Sequence, residues 1–355
     1  MTPTTVRTLS RQRRITFWTG WLSPQMEGIS KEVFGLREHF PHSAVVGLSR
    51  HYTFKASLRR RYLGWNVKGY PILRLLAPFI ETFTDINHVY GNLSEWFFLR
   101  ALHHRPIVLT VAVAGTPLDP KLYRHVHRFI VHSTSGAQDL IRWGANPAYV
   151  RVLYPGIDLT RYASAPSHPH KRFRILFATA PDHADGFAKR GVNLLLDVAR
   201  RVPDVDFHFI WRPWGTSSQL MQRLIEEHDL RNVSLRIGLV PDMASVFADA
   251  DATIAPFLHG LDMKVCPTSL VESLACGRPV LVSTKVGIAE LVQNNLCGEV
   301  AEPTAEDMCM AIERLRGRYA SYAHNCHASA ERYFSLNTCL RKHEELYEEV
   351  LTSTR

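Results

Sequence analysis

Between Arg174 and Val282 the chain repeats one pattern that leaves few folds open. A short apolar run is followed by a longer stretch with apolar residues every third or fourth position, and then by another short run. Arg174–Ala178 is strand-like. Val192, Leu195, Leu196 and Ala199 fall at i, i+3, i+4 and i+7, the stripe of an amphipathic helix. Val205, Phe207, Phe209 and Trp211 alternate as a strand requires, and Leu220, Leu224 and Ile225 return to the helical period. Val233, Leu235 and Ile237 predict a further strand, residues 243–248 a short helix, and Ala252–Pro256 a buried strand. Repeated β-α-β units call for a parallel sheet covered by helices on both faces.

The first half alternates in the same way. Ile15–Trp18, Ser43–Leu48, Ile86–Tyr90, Pro106–Val113 and Arg128–His132 read as strands, with a helix from Ser30 and another capped by Ser133, Thr134 or Ser135. Tyr154-Pro155-Gly156-Ile157-Asp158 is turn chemistry, and a polar stretch with two prolines runs from Ser164 to His170. A chain of 355 residues is long for one α/β core. The expected organisation is therefore an N-terminal domain over 1–158, a second over 165–330, and a C-terminal helix within 331–355 that packs back on the first.

Charge separates these halves. Residues 1–160 carry 20 Lys and Arg against 9 Asp and Glu, whereas residues 161–355 carry 22 against 24. The basic half favours an anionic partner. Arg7, Arg11, Arg13 and Arg14 precede Ile15-Thr16-Phe17-Trp18, but that apolar stretch is too short for a secretion signal and reads as a first core strand. No apolar run reaches the length of a spanning helix. The six cysteines form no CxxC pair, so reduced, buried thiols in a cytoplasmic protein are expected, without a zinc site.

The chemistry concentrates after Ala255: a strand, a long loop, a helix from Thr268, a stop at Gly277 and a new strand through Val282. A helix start at the carboxyl edge of a parallel sheet offers free backbone N–H groups and positive dipole character to a diphosphate. Thr268 and Ser269 add hydroxyls, Lys264 a cation, and Glu272 an acceptor for ribose hydroxyls. Ser269-Leu270-Val271-Glu272 equally matches a capping box, in which Glu272 serves only its own helix.

Ala188-Lys189-Arg190-Gly191-Val192, Leu235–Val240, Phe247–Asp251, Pro256, Leu270–Pro279, Val286–Val292 and Gly298 occur in an order and spacing that resemble the nucleotide-binding half of retaining glycosyltransferases of family four. The resemblance covers about Arg174 to Leu315 and is weaker in the N-terminal half. It implies a GT-B fold, α/β, with two Rossmann-like parallel-sheet domains facing a central cleft and closing over a nucleotide-diphosphate sugar. It further implies transfer to an acceptor hydroxyl with retention and without a metal ion or other cofactor. Carried onto this sequence, it places the ribose on Glu272 and the diphosphate on Arg190 with Lys189. The donor also meets the segment Thr268, Ser269, Leu270, and Gly28 in the loop Met26-Glu27-Gly28. Three departures stand out: Lys264 occupies the place of the family's first motif glutamate, an arginine is missing near Ala180, and a histidine is missing near Ala112.

Weaker signals have competing readings. Arg212, after the Val205–Trp211 strand, meets the nucleotide or is a solvated arginine beside a packed tryptophan. His88 is a candidate acceptor base or a packing residue. The basic and aromatic cluster Arg59–Tyr70 is a solvated helix face or a contact to an anionic membrane. No nucleic-acid-binding motif is present. The partners implied are a nucleotide sugar, an acceptor glycan, lipid or small molecule, and a peripheral anionic membrane surface. A catalytically silent nucleotide-sugar-binding scaffold and a sugar-nucleotide epimerase or hydrolase share the fold and stay open as alternatives.

Overall fold

The computed structural model describes residues 12–353 except 21, 23–27, 50–53, 58–60, 93–95, 116–120, 122–123, 163–170, 182–184, 214 and 261–262. The chain divides into two compact units. Unit 1 comprises Met1–Gly156, Leu261–Val265 and Asn337–Arg355; unit 2 comprises Ile157–Gly260 and Cys266–Leu336. The expected boundaries shift in two respects. Residues 157–162 and 331–336 belong to unit 2, and a five-residue segment from the middle of the presumed second domain, Lys264 included, belongs to unit 1.

Unit 1 carries strands β1 (Ile15–Thr19), β2 (Ala44–Ser49), β3 (Phe54–Ser57), β4 (Tyr62–Asn66), β5 (Ile86–Asn92), β6 (Ile107–Val113), β7 (Val126–Val131) and β8 (Val150–Val152). They form a sheet in the order β3-β4-β2-β1-β5-β6-β7-β8, parallel except for the β3–β4 pair. Its helices are α1 (Gly28–His39), α2 (Tyr70–Glu81), α3 (Trp96–Leu99) and α4 (Thr134–Arg142). The cluster Arg59–Tyr70 is therefore not one helix face. Tyr62–Asn66 is strand β4, Val67–Gly69 a single 3-10 turn, and helix α2 begins only at Tyr70.

Unit 2 carries β9 (Phe173–Phe177), β10 (Val205–Trp211), β11 (Val233–Ile237), β12 (Ala252–Ala255), β13 (Val280–Ser283) and β14 (Gly298–Ala301). Its helices are α5 (Asp185–Lys189), α6 (Val192–Arg201), α7 (Ser217–Glu227), α8 (Met243–Ala248), α9 (Thr268–Ala275), α10 (Ala289–Asn294), α11 (Ala305–Gly317) and α12 (Tyr319–Phe334). The strand order β11-β10-β9-β12-β13-β14 is wholly parallel. Numbered within the unit this is 3-2-1-4-5-6, the doubly wound order in which connections leave β9 and β12 in opposite directions. The alternation read from Val205–Trp211 reflects real burial: Val205, Phe207, Phe209 and Trp211 are inside, with Asp206, His208 and Ile210 half-buried. The last helix, α13 (Leu336–Ser353), returns almost entirely to unit 1.

Polar anchors hold unit 1 together. Glu81, at the end of α2, has no exposed surface. Its carboxylate accepts from Asn87 Nδ2 at 2.6 Å and from the backbone N–H groups of His103, His104 and Arg105 at 3.1 to 3.2 Å. Glu81→Leu strands those donors in the interior and is expected to lower stability by about 3 kcal/mol. A urea midpoint within error of the parent protein would refute this anchoring role.

His88 is not placed to serve as an acceptor base. It is fully buried in β5, with Nδ1 2.6 Å from the Tyr347 hydroxyl on α13 and Nε2 2.6 Å from Thr110 Oγ1 on β6. A general base must reach its substrate's proton, whereas this ring joins α13 to the sheet. Burial, then the neighbouring His343 and His132, pushes its pKa well below the ordinary value. Burial likewise lowers His132 and His343, each to about 4.

The unfolded chain binds these protons near pH 6.5, the native chain only near pH 4. Stability is therefore intact above pH 6.5 and is lost as pH falls toward 4, on the order of 3 kcal/mol for each of His132 and His343. Urea unfolding at pH 7, 6 and 5 should show a falling midpoint, flattened in His343→Gln. A midpoint that holds from pH 7 to pH 5 would contradict the assignment.

Candidate functional site

In a 3-2-1-4-5-6 sheet the crevice lies beyond the carboxyl ends of the first and fourth strands, here β9 and β12. Three segments of unit 2 follow from this edge. The first is the turn after α5. Gly191 adopts φ +73°, and a Cβ built on it would lie 2.1 Å from the Pro256 carbonyl oxygen. The Leu258 N–H donates to the Lys189 carbonyl at 3.1 Å. Lys189-Arg190-Gly191 is thus fastened to the chain leaving β12, with Lys189 exposed and Arg190 half-exposed.

The second segment is α9. Its N-cap is Pro267, which supplies no side-chain cap. The first turn is closed by Leu270 N–H donating to Pro267 C=O at 3.1 Å. The N–H groups of Thr268 and Ser269 precede that bond and point along the helix dipole. Thr268 is half-exposed and Ser269 buried. The Leu270 side chain is fully buried, and its N–H is spent within the turn.

The capping-box alternative fails on geometry. With Pro267 at the N-cap, Glu272 lies in the second turn rather than at the third helical position, and proline has no N–H to donate to it. Glu272 is half-exposed and accepts instead from the Tyr162 hydroxyl at 2.8 Å. Tyr162 follows a 3-10 turn, Leu159–Arg161, capped by the Asp158 carboxylate. Backbone bonds from Ile157 to Phe334 and from Leu336 to Ile157 tie this segment into unit 2. Glu272 and burial together hold the Tyr162 phenol far above its ordinary pKa, burial first. Tyr162 falls between the two expected domains, 1–158 and 165–330. The turn Tyr154–Asp158 before it was legible, but nothing local pointed to Glu272, 110 residues away.

The third segment, Arg212, sits half-exposed directly after β10. Two expected members lie in unit 1. Gly28 is the first residue of α1, while Met26 and Glu27 fall outside the described residues. Lys264 is held by unit 1: an antiparallel bridge to Val113 and bonds between Ala114 and Met263 and between Val265 and Ala112 extend β6. Its ammonium pairs with Glu32 on α1. Glu32 also accepts from the Tyr90 hydroxyl at 2.7 Å. The cation expected for a phosphate is thus engaged by a carboxylate.

Two Asp-x-Asp pairs, Asp249 with Asp251 and Asp204 with Asp206, are taken up by arginines. Asp251 accepts the Arg174 N–H and Asp249 pairs with its guanidinium. Asp204 pairs with Arg316, and Asp206 with Arg172. The cysteines are free thiols, five of them buried. Burial raises Cys276 and Cys339 to about 12 and Cys297 to about 11, which leaves them unreactive at neutral pH.

Two Rossmann-like parallel-sheet α/β units of this connectivity define the GT-B class, and this is the fold of the chain. Residues 173–317 match the family described as Glycosyl transferases group 1. WcaL of Salmonella typhimurium, provisionally named a colanic acid biosynthesis glycosyltransferase, is 26% identical over 196 residues, covering 52% of this chain and 46% of its own. The D-inositol 3-phosphate glycosyltransferase of Mycobacterium tuberculosis is 26% identical over 221 residues, 57% of this chain and 45% of its own. The chain thus spans about half the length of the curated relatives it matches. Among solved structures, Anabaena HepE in complex with UDP and glucose superimposes with a TM-score of 0.75 at 16% identity, covering 95% of this chain and all of HepE.

Proposed function

We propose that this protein is a glycosyltransferase that moves a sugar from a nucleotide-diphosphate sugar to an acceptor hydroxyl, with retention of configuration and without a bound metal. The observation that carries the reading is the start of α9 at the edge of the unit 2 sheet. It is left without a side-chain cap by Pro267, with Glu272 in its second turn, in a sheet whose edge also holds the Lys189-Arg190-Gly191 turn. Departure of a nucleoside diphosphate builds negative charge on the leaving oxygen. Preorganised N–H donors, a helix dipole and two cations lower that barrier. Glu272 receives the ribose hydroxyls, and Arg212 adjoins the nucleotide. The match over residues 173–317 and the HepE complex with UDP support this reading and make UDP the first nucleotide to try.

The excess of cations in residues 1–160 favours an acceptor that is anionic or lipid-linked, and a cytoplasmic protein working peripherally at an anionic membrane surface. Among the described residues no helix is long and apolar enough to cross a membrane.

Thermal-shift measurements against UDP, GDP, ADP, dTDP and their sugars test the donor assignment. One nucleotide class should raise the melting temperature, and no response to any of them would end the proposal. A second reading, a nucleotide-sugar-binding scaffold, is favoured by one observation: the Lys264 ammonium, expected for a phosphate, pairs with the Glu32 carboxylate. Release of nucleoside diphosphate with glycosylated acceptor separates an enzyme from a scaffold. Free sugar or an epimerised donor as product would identify a hydrolase or epimerase instead.

A further inference from the structure

Helix α2 is inverted relative to an ordinary surface helix. Only Leu73, Ala77 and Glu81, spaced by four, are buried along it, with Tyr70 and Ile80 partly so. The remaining surface should be polar. Instead it carries Ile72 at 52% exposure, Leu75 at 81%, Leu76, and Phe79 at 64%, with Phe83 at 60% just beyond the helix. Phe79 and Phe83 stack edge to face with centroids 5.3 Å apart, an aromatic pair turned outward. The helix cannot roll to hide this face, because Glu81 is locked beneath it by four donors.

Cations frame the apolar face. Lys68, Arg74, Arg100 and Arg105 are all exposed. Arg105 donates to the Glu81 carbonyl at the helix end, and Arg74 and Arg100 both act on the Tyr70 phenol at its start. The flanking sequence is poor in acids. From His39 to Ile80 the sequence has seven Lys and Arg and no Asp or Glu. Of the two acids that follow, Glu81 is buried and Asp85 is paired with Arg14.

We infer that the outward face of α2 is a bilayer-docking surface that lies in the interface of an anionic membrane. Ile72, Leu75, Phe79 and Phe83 enter the acyl boundary, and the surrounding cations meet lipid phosphates. The inference deepens the membrane contact proposed above and does not depend on the transferase chemistry of unit 2. Charge decides against a second copy of the chain as occupant. A two-fold contact through this face would set one cationic rim against another.

Co-sedimentation of the full chain with vesicles of phosphatidylcholine alone, or mixed with phosphatidylglycerol, tests it. Binding should be about tenfold stronger to the anionic vesicles. Leu75→Glu with Phe79→Glu should reduce it by at least about tenfold, and Lys68→Glu with Arg74→Glu should remove the preference for phosphatidylglycerol. These side chains are exposed, so folding and the nucleotide thermal shift should persist. If the double glutamate variant does not fold, Leu75→Ser alone should still weaken binding several-fold. Equal vesicle binding by parent and variants overturns the inference. So does a parent protein that ignores vesicles but sediments as a dimer dissociated by Leu75→Ser. Intact vesicle binding with no response to any nucleotide would fault the donor assignment alone.

Discussion

Gly191→Ala is expected to destabilise unit 2 by about 3 to 4 kcal/mol, lowering its melting temperature by roughly 10 °C, and to abolish the response to nucleotide. Two costs combine. An L side chain at φ +73° sits in the left-handed region, at about 1 kcal/mol or more. The larger cost is the approach of the new Cβ to 2.1 Å from the Pro256 carbonyl oxygen, which is backbone and has no rotamer to change. Relief requires the turn to lift from the chain leaving β12, breaking the bond from Leu258 to Lys189. Lys189 and Arg190 would move with it.

Gly277→Ala supplies the control, since Gly277 has φ +71° and nothing within 4 Å of its Cβ position. It should cost only about 1 kcal/mol. If the two variants melt together, the contact with Pro256 carries no energy.

Glu272→Ala should weaken nucleotide-sugar binding by about 10- to 100-fold, the worth of hydrogen bonds to a charged acceptor. The melting temperature of the free protein should shift little, because the carboxylate is half-exposed and caps no helix. Tyr162→Phe isolates the tyrosine's contact with that carboxylate. It removes the 2.8 Å bond but leaves the acceptor in place, so affinity should fall only about two- to threefold. Isothermal titration calorimetry reads both. Unchanged affinity in Glu272→Ala, together with equal destabilisation by both variants, would reduce the pair to a structural tie and remove the ribose contact from the proposal.

The same two residues show how far the sequence carries. Glu272 was legible because helix periodicity and a loop preceding Thr268 place it near a helix start, and the order of motifs around it resembles a known donor site. Whether it capped its own helix depended on the N-cap. One residue decides that: proline at 267 has neither hydroxyl nor N–H. Tyr162 was invisible, since its partner is distant in sequence and its own neighbourhood reads only as a turn. His88 kept two readings, acceptor base or packing residue, because alternation in Ile86–Asn92 places it on one face of a strand without saying that α13 covers that face. The exposed leucines and Phe79 of α2, with Phe83 just beyond it, drew no reading from the sequence. They look like core residues in the sequence, and only the lock at Glu81 shows which way they face.

By itself, the sequence determined the two α/β halves, the parallel character of the unit 2 sheet and the helix start at Thr268. These follow from period, dipole and backbone sterics within short windows of chain. The tertiary structure decided the strand order, the passage of residues 261–265 into unit 1, and the pairing of Lys264 with Glu32 across 232 positions. Periodicity states that a face must be covered and a charge that it seeks its opposite. Neither names the partner, because that choice is made by which surfaces the packed sheets bring within reach.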